Sequence, residues 1–235
     1  HMWDNHQVLD LLASTLFTLV ALIVLYGISQ WTVNLPLFPL KEVSVSAANS
    51  SSGELKHVTR DQIDKAVQSE VRGNFFTVDM DATRAAFRKL PWVRNASVRR
   101  VWPQSLEVTL EEHVVLARWG STALVNTHGE VFNAASADKL PIFEGPAESS
   151  RDLTRQYAAF NEILRPLQQS IEQIKLSPRR AWRVHLDNGT ILELGREQMK
   201  TRLERYVLIH DISIARLNQK LSYVDLRYPN GFAVR

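Results

Sequence analysis

The chain of 235 residues contains no cysteine. Disulfide frameworks and thiolate metal sites are thereby excluded, while the compartment stays open. An excess of one charge is missing too: 28 Lys and Arg stand against 25 Asp and Glu, a formal net charge of +3. A nucleic-acid binder carries a much stronger basic stripe. Catalytic signatures are equally scarce. His6, His57, His113, His128, His185 and His210 make no H-E-x-x-H or other ligand spacing. There is no G-x-S-x-G and no P-loop. Asp79 and Asp81 form a D-x-D, but at a helix start, where carboxylates cap the helix and favour its dipole. His128 reads as a turn residue rather than a general base, and His210 as a packing residue. The expectation is a binding protein, not an enzyme, with no cofactor and no metal.

Charge is also absent between Asp10 and Lys41. The apolar run there, Leu11 to Ile28, makes a helix rising ~27 Å, close to the ~30 Å hydrocarbon core of a bilayer. Trp3 lies before it and Tyr26 and Trp31 near its far end, as interfacial aromatic belts require. Residues 11–33 are read as a transmembrane helix and residues 1–10 as a short cytoplasmic tail, with His1 a cloning remnant. The rival is a cleaved signal peptide, for which Gly27-Ile28-Ser29 offers a small-x-small site. No Lys or Arg precedes the run, and a signal peptide has a positive n-region. Charge alone does not orient the segment, because its first flanking cation is Lys41. Ser14, Thr15 and Thr18 offer a face to a second helix.

Beyond Pro39 the pattern becomes that of a folded domain, residues 38–112. Val43, Val45 and Ala47 alternate with Ser44 and Ser46, a half-buried strand. Thr59 followed by Gln62 predicts a capping box. The helix it opens carries Ile63, Ala66, Val67 and Val71 on one face and is expected to end at Gly73-Asn74. Asp79 predicts the cap of a second helix with Met80, Thr83, Phe87 and Leu90 inward, stopped by Pro91. Two strands follow, one around Val98 and one with Leu106, Val108 and Leu110 inward, joined at Trp102-Pro103-Gln104. The order is β-α-α-β-β, a three-stranded sheet with two helices on one face.

Residues 113–235 form the second domain. Leu124 to Phe132 reads as a hairpin turning at His128-Gly129, and Leu140 to Phe143 as a short strand. A helix is expected from Arg151 to Gln169, frayed or kinked by Pro166. Trp182, Val184 and Leu186 alternate, Asp187-Asn188-Gly189 turns the chain, and Thr190 to Leu194 returns. A long amphipathic helix carries Met199, Leu203, Tyr206, Val207, His210, Ile214 and Leu217. The last strand is Leu221 to Tyr228, with Val224 and Leu226 on one face. Pro229 cannot donate to a ladder, which puts this strand at an edge or at its own end.

The spacing of Leu90-Pro91-Trp92-Val93, Val98-Arg99-Arg100, Trp102-Pro103, Leu106-Glu107-Val108, Glu112 and Ala117-Arg118-Trp119 resembles that of the FtsQ/DivIB family of proteobacteria, as does Tyr223 to Tyr228. The resemblance covers nearly the whole chain. It implies an α+β protein: a transmembrane helix, a POTRA module and a curved, mostly antiparallel β-domain with flanking helices. It further implies a single-pass type II protein of the cell inner membrane, mostly periplasmic and enriched at the division septum. The role implied is a divisome scaffold that links early and late division proteins and binds the FtsB/FtsL complex by strand addition, with FtsK, FtsW and FtsI as further partners. The partner-binding residues implied are Arg179, Tyr223, Arg227, Tyr228, Asn230, Gly231, Phe232 and Val234. Val98 and Arg100 match the recruitment face of the POTRA module. Pro229 and Asn230 stand where relatives often carry Asp and Ser. Relatives also continue past Arg235 to a further aromatic residue, so part of the partner surface is expected beyond it. Two rivals remain: a POTRA chaperone of secretion or outer-membrane assembly, which would bring several modules or a barrel, and a membrane-anchored envelope enzyme.

Overall fold

The computed structural model describes residues 6–210, 212, 221–229 and 233–234. The apolar run lies in α1 (His6–Val33), a 28-residue helix with no buried residue. Helical geometry already holds at His6, ahead of the apolar run, so the helix includes polar residues before Leu11. Ser14, Thr15 and Thr18 donate to carbonyls of their own helix, those of Leu11, Leu12 and Ser14, at 3.0, 2.9 and 2.8 Å. Their hydroxyls thus need no water, the condition a lipid-facing segment must meet. Among the described residues this is the one helix long and apolar enough to cross a membrane. Trp3 lies outside the described residues.

The chain divides into two units at Glu112/His113. In the first, β1 (Glu42–Ala47), α2 (Arg60–Glu70), α3 (Met80–Arg88), β2 (Val93–Val101) and β3 (Ser105–Glu112) follow the expected β-α-α-β-β order. The sheet order is β1-β3-β2, with β1 parallel and β2 antiparallel to β3. Central β3 alternates strictly, with Leu106, Val108 and Leu110 fully buried. At α2 the capping box is complete: Gln62 N donates to Thr59 Oγ1 and Thr59 N to Gln62 Oε1. The helix stops at Glu70, earlier than the expected Gly73-Asn74. Asn74 instead builds the next turn, its Oδ1 accepting from the amides of Phe76 and Thr77 at 2.9 Å. Asp79 caps α3 by accepting from the amides of Asp81 and Ala82.

Among the described residues the second unit is built on a sheet of nine strands. It contains β4 (Val115–Trp119), β5 (Ala123–Asn126), β6 (Val131–Phe132), β7 (Ile142–Glu144), β8 (Ile171–Leu176), β9 (Trp182–Leu186), β10 (Ile191–Gly195), β11 (Tyr223–Asp225) and β12 (Ala233–Val234). Their order is β12-β11-β10-β9-β8-β7-β4-β5-β6. Two helices, α4 (Ser150–Leu164) and α5 (Met199–Ile209), bury Leu153, Phe160, Leu164, Leu203 and Tyr206 in one cluster with Phe143, Ile174, Val184, Leu192 and Val224 from the strands.

Three local expectations change here. Strand β8 had no counterpart in the sequence reading. Its buried residues Ile171, Ile174 and Leu176 are spaced by three and then two, because the pairing with β9 shifts register between Ile171 and Gln173. Helix α4 ends at Leu164 rather than Gln169, and Arg165–Leu167 tightens into a 3-10 turn at Pro166. The last expected strand, Leu221 to Tyr228, is only Tyr223–Asp225, and it is not the edge. The chain comes back as β12 and covers it, pairing Val224 with Val234 and Asp225 with Ala233. Ile214 and Leu217, expected on the long helix, lie outside the described residues.

Candidate functional site

The β12 end of the large sheet gathers most of the described residues singled out above. Strand β11 lies parallel to β10, with Tyr223, Val224 and Asp225 opposite Ile191, Leu192 and Glu193. Alternation sends Val224 into the core and Tyr223 and Asp225 to the other face. Leu226, next along the chain, is fully buried as well. Exposed apolar Val234, at 42%, stands on the terminal strand. Tyr228 is 55% exposed and projects from the segment after β11. Asn230, Gly231 and Phe232 lie outside the described residues.

The outer face carries an ordered set of charges. Arg183 on β9 pairs with Glu193 on β10. Glu193 sits in register with Asp225, and Asp225 pairs with Arg227. Two adjacent, largely buried carboxylates are thus each neutralised by their own guanidinium. Arg227 Nε and Nη2 reach the two Asp225 oxygens at 2.8 and 2.6 Å, a bidentate fork. These bonds hold the Asp225 carboxyl below the usual carboxylate range against the opposing effect of burial. Beside them the Tyr223 phenol is pushed above its usual range, by burial first and then by Glu193 and Asp225.

Around Arg227 opens a cleft of about 450 Å³, lined by Arg179, Ala181, Gly195, Arg196, Glu197, Arg202 and Arg227. Four arginines and one glutamate line it, with Arg227 held by Asp225 and Arg202 donating to the Leu194 carbonyl. The structure therefore brings together Arg179 and Arg227, which the sequence singled out separately, and adds Arg196 and Arg202. The Arg179-Arg180 pair is split: Arg180 adopts φ +67° and turns to Asp152 on α4 at 3.1 Å. Gly195 forms the floor at φ +74°, where a Cβ would meet Arg202 Nη1 at 2.6 Å and Arg227 Cγ at 3.2 Å. Guanidiniums arranged around such a cleft fit carboxylates, which they bind in planar, bidentate fashion.

Sequence reasoning missed Arg205. From α5 its guanidinium donates to the carbonyls of Leu226, Tyr228 and Pro229 at 3.0, 2.9 and 2.9 Å. Those carbonyls are thus held by a side chain, while the Leu226 amide still donates to the Glu193 carbonyl of β10 at 3.0 Å. An isolated Arg beside an apolar stripe gives no sequence signal of this clamp.

Val98 and Arg100 lie on β2, an edge of the three-stranded sheet. Val98 is half-buried. Arg100 donates to the carbonyls of Phe75 at 2.9 Å and Val78 at 3.1 Å, tying the turn before α3 to the strand. Its neighbour Arg99 pairs with Glu107 across the sheet.

Comparison with known proteins agrees with both units. Residues 38–113 match the model for the FtsQ-type POTRA domain. Residues 117–227 match the C-terminal domain of cell division protein FtsQ/DivIB. The chain belongs to the FtsQ/DivIB family. Cell division protein FtsQ of Nitrosospira multiformis is 61% identical over 234 residues, covering 100% of this chain and 99% of the relative. FtsQ of Burkholderia pseudomallei is 40% identical over 241 residues, covering 100% and 94%. That of Neisseria gonorrhoeae is 32% identical over 235 residues, covering 100% and 95%. The α+β architecture, with an N-terminal apolar helix, a POTRA domain and a C-terminal sheet domain, is that of the family.

Proposed function

We propose that this cell-division protein is a non-enzymatic scaffold of the divisome, and that it takes an added strand from FtsB, paired with FtsL, on the outer side of β12. The observation that carries this reading is the placement of a terminal two-stranded ribbon, β11–β12, beside a cleft rich in arginine. A terminal strand offers backbone donors and acceptors to an incoming chain, and side-chain pockets then select it. In this reading Arg179 and Arg227 meet acidic side chains of the partner, Tyr223 and Tyr228 supply aromatic contacts, and Val234 buries apolar area. Asn230 and Phe232 also belong to the partner-binding set, Phe232 burying apolar area with Val234, and Gly231 allows close backbone approach.

Helix α1 crosses the inner membrane once, residues 1–10 remain cytoplasmic, and the POTRA (38–112) and sheet (113–235) domains are periplasmic and concentrate at the septum. The β2 edge with Val98 and Arg100 serves recruitment by earlier division proteins, with FtsK, FtsW and FtsI among the further partners. The test is amide hydrogen exchange of the full chain with and without the periplasmic segment of FtsB. New protection at Ala233–Val234 is expected. Protection confined to β2 would move the site to the POTRA domain, and binding with no protection at either edge would end the strand-addition reading.

A further inference from the structure

The POTRA domain is fastened to the end of α1, and an exposed aromatic patch stands beside that fastening. Asn74 Nδ2 donates to the Val33 carbonyl at 2.6 Å and to the Leu35 carbonyl at 3.2 Å. Next to it, Phe75 N donates to the Phe38 carbonyl at 2.9 Å, and Pro39 bridges Asn74. The residues just past the helix therefore run against the turn that precedes α3. Onto this turn fold four rings. Phe38 meets Phe76 edge-on at 5.1 Å, and Phe75 meets Trp102 edge-on at 5.7 Å. Trp102 also lies 6.4 Å from both Phe38 and Phe76.

Phe75 is the buried base of the cluster, yet Trp102 is 67% and Phe76 39% exposed. Holding them in place are the Arg100 bonds to Phe75 and Val78 and the bond from Lys41 N to the Gln104 carbonyl at 2.9 Å. These bonds tie the turn that carries Phe75 and Phe76 to β2, and the start of β1 to the turn that carries Trp102.

We propose that Trp102 and Phe76 sit in the headgroup interface of the bilayer that α1 crosses, so that the POTRA domain rests on the membrane through this patch. The inference depends on the reading of α1 as membrane-spanning. What favours lipid as the occupant is position. Trp31 is two residues before the end of α1, ~3 Å of helix rise, so Val33 lies at the level of an interfacial aromatic belt. Asn74 touches that end directly, and Trp102 is one ring away from Phe75. Trp is suited to the interface, with an apolar body and one N–H for a headgroup or water. The opposite end of the sheet points away: β1 runs from Glu42, opposite Ser105, to Ala47, opposite Leu110, a span of ~17–20 Å.

The test uses the full chain in bilayers whose lipids are brominated just below the headgroup. Trp102 emission is the difference between a Trp3→Phe/Trp31→Phe chain and the same chain with Trp102→Phe, which keeps a ring in the cluster. That difference is expected to be quenched about twofold or more by the brominated lipid and shielded from aqueous iodide. Trp31 emission, obtained as the difference between Trp3→Phe and Trp3→Phe/Trp31→Phe, reports on α1. Trp31 quenched by lipid with Trp102 quenched only by iodide would overturn the patch alone. Neither quenched by lipid would overturn the membrane-spanning reading along with it.

Discussion

Arg227 turns back to grip Asp225, two residues before it, with its amide as well as its guanidinium: the amide donates to Oδ1 at 3.1 Å while the fork takes both oxygens. The grip fixes the direction in which the chain leaves β11 and presents one face of Arg227 to the cleft. Because it lowers the folded-state pKa of Asp225, its contribution is complete above the unfolded carboxylate value of ~3.9 and is lost as pH falls through the folded value. Replacing Asp225 by Asn removes it. The stability gap between the two proteins in denaturant is therefore expected to be constant above about pH 5 and to close below about pH 4. A gap that persisted undiminished in acid would deny the carboxylate its role.

Gly195 is expected to be irreplaceable for two separable reasons. Its positive φ strains any L-residue, costing about 1–2 kcal/mol, and its missing Cβ leaves room for Arg202 and Arg227. Gly189 isolates the first effect, since it has φ +87° with nothing within 4 Å of its Cβ position. Gly195→Ala should destabilise at least as much as Gly189→Ala in thermal melts. On the proposed strand-addition reading, only Gly195→Ala should weaken binding of FtsB, by about tenfold on the scale of one lost charged contact. Equal affinities in titration calorimetry would detach the cleft from the partner site.

Elements specified by neighbours along the chain were legible in the sequence. The Thr59–Gln62 box, the Asp79 cap and the alternation of Leu106, Val108 and Leu110 each depend on contacts within a turn or on one sheet face. Strand β8 was hidden because its register shift at Ile171/Gln173 breaks the period of two. Strand β12 was hidden because its described residues, Ala233 and Val234, carry no period of their own. The cleft was half legible: the family resemblance pointed to Arg179 and Arg227, but Arg196 and Arg202 look like any solvated cations until Gly195 folds them together.

Glu112 should anchor the loop before α2. Its carboxylate is almost fully buried and accepts from the amides of Lys56, His57 and Val58, each at 2.8 Å. Hydrogen bonds to a charged group contribute about 1.5–3 kcal/mol each, and stranded buried amides add a penalty. Glu112→Ala is therefore expected to destabilise the POTRA domain by about 3 kcal/mol or more, and Glu112→Gln by less, since it keeps one acceptor. Hydrogen exchange at residues 56–58 should accelerate in the same order. Unchanged exchange there would mean that the loop is held by its apolar contact at Val58 instead.

Arg205 offers the sharpest separation of positioning from contact. It lies on α5 and holds three consecutive parts of the segment that carries Tyr228, through the carbonyls of Leu226, Tyr228 and Pro229. A lysine there keeps the charge but has no planar fork and cannot span three acceptors in fixed geometry. Arg205→Lys should leave the core intact, because Leu203 and Tyr206 on the same helix carry the burial. The segment after β11 would lose its fixed path, and the partner would pay the ordering entropy on binding. On the proposed reading, the expected result is an FtsB complex weakened about tenfold, mainly through faster dissociation, with a melting temperature close to that of the parent. An affinity loss matched by an equal loss of global stability would instead assign Arg205 to the fold.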